Sequence, residues 1–175
     1  MLKLLGLILL AGVAVILILA ARQPDIFRVN RSITIAAPAA QVFAAINDFQ
    51  QWHAWSPYER LDPNMQRTIS GAASGVGAHY EWQGDSKVGS GRMSITESVP
   101  PQRVAIALDM LKPIEAHNQV TFSLNEDAGK TTVTWAMEGR TPFVSKIMHT
   151  LMDMDKMVGG QFSEGLANLK GLMER

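Results

Sequence analysis

The chain has 175 residues, of which 47% are hydrophobic, and its 16 basic and 16 acidic residues leave no net charge. A neutral chain without basic clusters is poorly suited to nucleic acid, so no nucleic-acid partner is expected. The absence of cysteine excludes disulfides and thiol chemistry. Length and hydrophobic content are typical of one domain with an appendage.

The appendage is the apolar N-terminus. Residues 4–21 carry no charge, and at about 1.5 Å per residue they would cross most of a bilayer core of roughly 30 Å. We therefore predict that residues 1–22 form a single-pass transmembrane anchor, in the membrane through residues 2–21, or an uncleaved signal. The apolar run is longer than that of a typical signal peptide, and Leu19 is not the small residue expected before a cut after Ala21.

The basic residues on either side of the apolar run bear on the orientation of this anchor. Lys3 lies on one side of the apolar run, while Arg22, Arg28 and Arg31 follow it, a distribution that mildly opposes translocation of the domain. An N-terminal anchor before a compact domain nevertheless more often leaves that domain outside the cytoplasm. The prediction is a cell-membrane protein with its soluble domain on the extracytoplasmic side.

The soluble part begins with a short linker and a strand. Pro24 ends the membrane helix, and residues 23–28 are predicted to be the linker. From Val29 to Ile35 apolar and polar residues alternate, which indicates a strand with one face in water. Two short helices are predicted next, over residues 39–47 and 48–57. Helices placed directly after the first strand indicate an α+β domain.

From Met65 to Met137 the sequence consists of strands and turns, each strand with one apolar and one polar row. The apolar rows are Ala78, Tyr80 and Trp82; Met93 and Ile95; Val104, Ile106 and Leu108; Val120, Phe122 and Leu124; Val133, Trp135 and Met137. This pattern predicts an antiparallel sheet of six or seven strands with one face covered.

The cover is predicted to be a long C-terminal helix from Pro142 to Arg175. Its apolar residues recur every three or four positions, and Thr141 is the predicted N-cap. Gly159 and Gly160 should bend the helix, because glycine weakens a helix interior. A curved sheet closed by this helix would enclose an apolar cavity, which is the default binding site.

Short motifs along the domain occur in a recognisable order. They are Ser32-Ile33-Thr34-Ile35, Ala37-Pro38, Val42-Phe43, Trp55-Ser56-Pro57, Gly75-Val76-Gly77, Pro100-Pro101 and Met157-Val158-Gly159-Gly160. Together they resemble the SRPBCC superfamily, in particular its START-like, polyketide cyclase/dehydrase-like proteins. The resemblance covers residues 29–170 and implies a helix-grip fold for residues 29–175: a curved antiparallel sheet wrapped on the C-terminal helix around a hydrophobic cavity. It also implies a lipid, sterol, polyketide or other apolar ligand, and it transfers no catalytic motif.

Nine residues are predicted to bind the ligand. They are Trp52, Trp55, Tyr80, Trp82, Met93, Phe122, Trp135, Met148 and Met152. Aromatic rings offer apolar area with a polar edge, and methionines adapt to guests of different shape. An ordinary packed core explains each of them as well, so the sequence leaves both interpretations open.

Reactive chemistry is weakly represented. The four histidines do not fall at metal-ligand spacings, and no catalytic motif is found, so no metal, cofactor or catalytic residue is predicted. His79 and Glu81 lie on a polar strand face and should meet solvent. The predicted function is membrane-tethered binding of a hydrophobic small molecule or lipid. The alternatives are a polyketide cyclase/dehydratase-type enzyme and a non-catalytic interaction module at the membrane, and a protein partner remains unassigned.

Overall fold

The computed structural model describes residues 2–175, so Met1 of the predicted anchor lies outside the described residues. Seven strands form one antiparallel sheet in the order β1-β7-β6-β5-β4-β3-β2. The strands are β1 Ile26–Ile35, β2 Gln66–Gly71, β3 Ala78–Gln83, β4 Ser90–Val99, β5 Arg103–Lys112, β6 Ala116–Asp127 and β7 Lys130–Arg140. The helices are α1 Leu2–Ala21, α2 Ala39–Ile46, a 3-10 helix Phe49–Ala54, α3 Tyr58–Leu61, α4 Phe143–Leu151 and α5 Met154–Met173.

This arrangement confirms the predicted α+β helix-grip fold. The two sequence patterns after the first strand become α2 and the 3-10 helix, and α3 follows them. Consecutive strands from β2 to β7 are neighbours in the sheet, while β1 pairs with β7 and makes one edge. Because β1 starts at Ile26, it takes in the second half of the predicted linker.

Helix α5 covers the concave face and runs beside β1. Its buried residues Phe162, Leu166 and Leu169 pack onto the sheet. The ammonium group of Lys170 donates to the carbonyl oxygen of Thr34 at 2.7 Å. At the start of the helix, the carboxylate of Asp155 accepts from the guanidinium of Arg31 at 3.0 Å. Polar contacts at both ends thus fix α5 along the edge strand.

The prediction of a single C-terminal helix from Pro142 to Arg175 is wrong, because the segment forms two helices. The chain leaves the helical conformation at Met152 and starts again at Asp153, whose carboxylate accepts from the backbone N–H of Lys156 at 2.9 Å. This N-cap satisfies one of the first N–H groups of α5 and defines where the new helix begins. Asp155 in the first turn is the accompanying acidic signal of a helix start.

The capping role predicted for Thr141 is wrong as well, and the helix break lies before Gly159 and Gly160. Pro142 occupies the N-cap position of α4 and Thr141 makes no capping hydrogen bond. Both glycines lie inside α5, and a Cβ at Gly159 would come within 2.1 Å of the Arg31 guanidinium. Gly159 therefore leaves room for the Arg31–Asp155 contact, and the bend expected at these glycines stays a prediction.

The N-terminal helix stands apart from this core. Among residues 2–175, one helix is long and apolar enough to cross a membrane, and it spans Lys3–Ala21. Most of its side chains are exposed, and the element it contacts is α4. The domain thus meets the apolar helix through the short helix that precedes α5.

Two glycines of α5 give a matched test of the helix packing. A Cβ at Gly165 would lie 2.7 Å from the Trp135 ring and 2.9 Å from Pro57, so we expect Gly165→Ala to destabilise the protein by about 1–3 kcal/mol. A Cβ at Gly160 meets nothing within 4 Å, so Gly160→Ala should stabilise it by up to about 1 kcal/mol. Chemical unfolding of the full chain in detergent, followed by tryptophan fluorescence, measures both. Equal effects of the two substitutions would contradict this packing.

Candidate functional site

Aromatic rings fill the space between the sheet and α5. Trp52 and Trp55 come from the 3-10 helix and its end, Phe122 and Trp135 from β6 and β7, and Phe162 from α5. All five are at most 4% exposed. The Trp135 ring stacks on that of Phe162 with centroids 4.2 Å apart and an interplanar angle of 10°. These five rings form a closely packed interior cluster.

Hydrogen bonds of the indole groups hold part of this cluster in place. The Nε1–H of Trp52 donates to the carbonyl oxygen of Ile46 at 2.9 Å, and that of Trp55 donates to the carbonyl oxygen of Ala45 at 3.3 Å. These bonds tie the 3-10 helix to the end of α2. Among the described residues, the Nε1–H of Trp135 is buried without a partner. It is the group of the interior cluster that a bound molecule could still engage.

The structure divides the nine predicted ligand-binding residues between two places. Trp52, Trp55, Tyr80, Phe122 and Trp135 lie in the buried core, and Trp82 and Met93 are partly buried against it. Met148 lies on α4 and Met152 directly after it, with 37% and 42% of their surfaces exposed. These two methionines are therefore not part of the interior.

A carboxylate that sequence reasoning missed reaches the interior from α3. The side chain of Glu59 is 7% exposed, pairs with the Arg67 guanidinium, and accepts from the Tyr80 hydroxyl at 2.5 Å. Burial and the hydrogen bond to Glu59 raise the pKa of Tyr80, so this hydroxyl stays protonated. His79 and Glu81 are exposed, as their strand alternation predicted. Alternation could not reveal Glu59, because it projects from a helix of one turn.

A groove of about 630 Å³ lies where α1 joins the domain. One wall is formed by Gln23, Pro24 and residues 26–28, and the other by residues 149–155. Apolar side chains such as Phe27, Met152 and Met154 alternate in these walls with polar ones. We call this cavity the anchor groove, because it opens beside the end of the predicted membrane anchor.

The walls of the anchor groove are held by contacts between α4 and the linker. The Lys146 side chain is 11% exposed, and its ammonium group lies 2.5 Å from the Asp25 carboxylate. This contact lowers the pKa of Asp25. The backbone N–H of Thr141 donates to the Asp25 carbonyl oxygen at 2.9 Å, and the rings of Phe27 and His149 meet edge to face at 5.1 Å. The wall carrying Met152 is thus fixed relative to β1.

A second cavity of about 380 Å³ lies over the ends of β2 to β5. Most of the side chains around it are polar or charged, including Gln66, Glu81, Arg92 and Lys112, with Trp82 at its base. It is the smaller of the two cavities. We therefore consider it the weaker candidate for an apolar ligand.

The outer face of the sheet carries a charged network without the geometry of a metal site. The Asp109 carboxylate lies 2.9 Å from the Arg92 guanidinium and 2.6 Å from the His117 ring. The hydrogen bond to the Asp109 carboxylate raises the pKa of His117. Among the described residues, no three His, Asp or Glu side chains are placed to hold a metal ion.

The sheet, its covering helix and the aromatic interior define a domain of the helix-grip class. The family model described as polyketide cyclase / dehydrase and lipid transport matches residues 27–174. The chain belongs to this family, and the resemblance to the SRPBCC superfamily is confirmed. The family supports a domain that binds hydrophobic ligands. A search of curated proteins found no significant match.

Solved structures share the fold at low sequence identity. Protein CV1439 from Chromobacterium violaceum is 16% identical, with a TM-score of 0.60 over 87% of this chain and 99% of that chain. A protein from Thermobifida fusca is 23% identical, with a TM-score of 0.60 over 82% and 90% of the two chains. The di-domain ARO/CYC BexL from the BE-7585A biosynthetic pathway is 16% identical, with a TM-score of 0.65 over 90% of this chain and 53% of its own. At these identities the likeness shows the fold alone.

Two histidines should titrate on opposite sides of the ordinary pKa of 6.5. The hydrogen bond to the Asp109 carboxylate raises the pKa of His117, and burial, with the ring lying against Phe27, lowers that of His149. The stabilisation from His117 is complete below pH 6.5 and is lost as the pH rises through its raised pKa. His149 destabilises the fold as the pH falls through 6.5, because the unfolded chain then binds the proton more tightly.

NMR titration of the imidazole signals in the full chain measures both pKa values, and His117→Gln and His149→Gln assign the signals. A His149 that titrates at 6.5 or above would mean that α4 does not pack against Phe27 as described.

Proposed function

We propose that this protein is a single-pass, membrane-tethered domain that binds a lipid or similar hydrophobic small molecule in the anchor groove. The observation that carries the proposal is the position of this groove, next to the point where α1 enters the domain. Family membership supports an apolar ligand. The proposal moves the site from the interior cluster to the groove, and of the nine predicted residues it keeps Met152 as a lining residue.

The walls of the groove suit an amphipathic molecule. Phe27, Met152 and Met154 offer apolar surface to a chain, while Arg28 and His149 supply polar groups at its sides. Burial of some 300 Å² of apolar surface at about 25 cal/mol per Å² would contribute roughly 7 kcal/mol. The loss of freedom on binding offsets part of this value.

Tethering would set where the ligand comes from. A groove at the end of a membrane-spanning α1 stays near the bilayer surface, where lipids are concentrated. We propose a cell-membrane location with the domain on the extracytoplasmic side, because an anchor that precedes a compact domain commonly has this topology. Exchange of a lipid between bilayer and groove then needs no long diffusion through water.

The buried carboxylate of Glu59 favours a second candidate, an enzyme of the cyclase or dehydratase type. A proton-transfer group inside the fold is what such chemistry requires. Tyr80 and Arg67 engage this carboxylate, so a substrate would have to displace one of them. Turnover of aromatic polyketide substrates that is lost in Glu59→Gln would support the enzyme, and no turnover by the unmodified chain would exclude it.

Binding in the anchor groove is tested with a diazirine-bearing fatty acid. The full chain in detergent is labelled at increasing ligand concentration, and the modified peptides are mapped by mass spectrometry. We expect saturable labelling of residues 23–28 and 149–155, which natural lipid competes away. Met154→Trp should fill the groove and reduce this labelling several-fold. Met157→Trp, at an exposed position of the same helix outside the groove, should leave it unchanged.

Other labelling patterns would contradict the proposal. Saturable labelling of peptides that contain Trp52, Phe122 or Trp135 would place the ligand in the interior cluster, beside the unpaired Trp135 Nε1–H. Labelling that never saturates, together with no lipid retained through purification, would mean that the domain binds no hydrophobic ligand.

A further inference from the structure

Helix α4 presents an apolar face that nothing in the domain covers. Phe143 and Met148 are 49% and 37% exposed, and Val144 and Leu151 are 64% and 63% exposed. These four residues lie on a helix of nine residues. A cluster of large apolar side chains at this density is unusual on a surface that faces only water.

The same helix exposes almost no charge. Its one charged residue, Lys146, is turned inward with 11% of its side chain exposed and is paired with Asp25. Burial lowers the pKa of His149, which is therefore neutral at pH 7. An exposed helix in water would normally carry charged residues on its outer face, so this surface is suited to an apolar medium.

The neighbour of α4 indicates which medium this is. Helix α4 packs against α1, in which Ile16 is partly buried and Ala20 is buried, one turn apart in its second half. The rest of α1 exposes apolar side chains, as a helix in hydrocarbon does. The uncovered face of α4 is thus continuous with the apolar surface of α1, at the end where that helix reaches the domain.

A second exposed apolar pair lies at the same end of the sheet. Leu111, at the end of β5, and Ile114, in the connection from β5 to β6, are 52% and 38% exposed. The strand register places this connection at the end where β1 begins and β7 finishes. The loop between β2 and β3, which carries Val76, lies at the opposite end. Leu111 and Ile114 therefore lie on the side that faces α1, whereas the exposed Val76 and Val99 lie at the far end, away from α4.

We infer that α4 lies in the lipid–water interface of the leaflet from which α1 emerges, with Phe143, Val144, Met148 and Leu151 inserted among the acyl chains. An interfacial helix of this kind has its apolar side in the boundary of the acyl region. The inference rests on the membrane-tethered arrangement of the proposed function. A bilayer is favoured over a protein partner because lipid already has to surround the adjoining surface of α1.

Cysteine scanning tests this placement directly, because the chain has no native cysteine. Val144→Cys and Leu151→Cys are spin-labelled in the full chain and reconstituted into nanodiscs of phosphatidylcholine with a phosphatidylglycerol fraction. Val13→Cys reports on the span, and Val76→Cys reports on the far end of the sheet. We expect the labels at 13, 144 and 151 to collide more with oxygen and several-fold less with an aqueous nickel chelate than the label at 76.

Each outcome has a distinct meaning. The label at 13 could lie in lipid while the labels at 144 and 151 are as accessible to water as the label at 76. This result overturns the inference and leaves the membrane tether intact. A label at 13 in water overturns the tether and the inference together. Spin–spin broadening at 144 that disappears on dilution with unlabelled protein would show that a second copy covers α4, which also overturns the inference. If the labels at 144 and 151 lie in lipid but the fatty-acid probe shows no saturable labelling, the proposal that the groove binds a ligand is overturned and the inference about α4 stands.

Discussion

The stacking of Phe162 on Trp135 is the contact on which the rest of the structure depends. A strongly curved sheet has to bury its concave face, and α5 does so by placing one ring flat against the centre of β7. Gly165, one turn further along, leaves room for the same indole and for Pro57. The polar contacts of Arg31 and Lys170 then fix the helix along β1. Ring packing thus positions the helix, and the edge contacts determine its direction.

This packing determines where a ligand site can form. With the interior filled by indole and phenyl rings, the larger groove lies outside, where the chain passes from α1 into β1 and from α4 into α5. The groove exists because the C-terminal segment is broken at Asp153: one continuous helix would have no junction there. The N-cap at Asp153 therefore shapes both the cover of the sheet and the cavity beside the anchor.

Patterns with a regular period were sufficient to predict the fold. Alternation located the strands, because each strand has one covered face. The order of the short motifs along the chain identified the family. Features without such a period were missed. Glu59 lies on a single helical turn. Whether Met148 and Met152 face the interior depends on a helix break of two residues. The aromatic residues were correctly expected to point inward, but alternation cannot distinguish rings that line a cavity from rings that fill it.

The energetics separate an interior site from the anchor groove. The rings of Trp135 and Phe162 each bury about 150–250 Å², so transferring both to water would cost roughly 8–12 kcal/mol at about 25 cal/mol per Å². A guest that buries about 300 Å² would recover roughly 7 kcal/mol. The interior would therefore open only for a larger ligand, or for one that also engages the free Trp135 Nε1–H. A ligand in the groove would displace neither ring, so the same energetics favour the anchor groove over the interior for the proposed ligand.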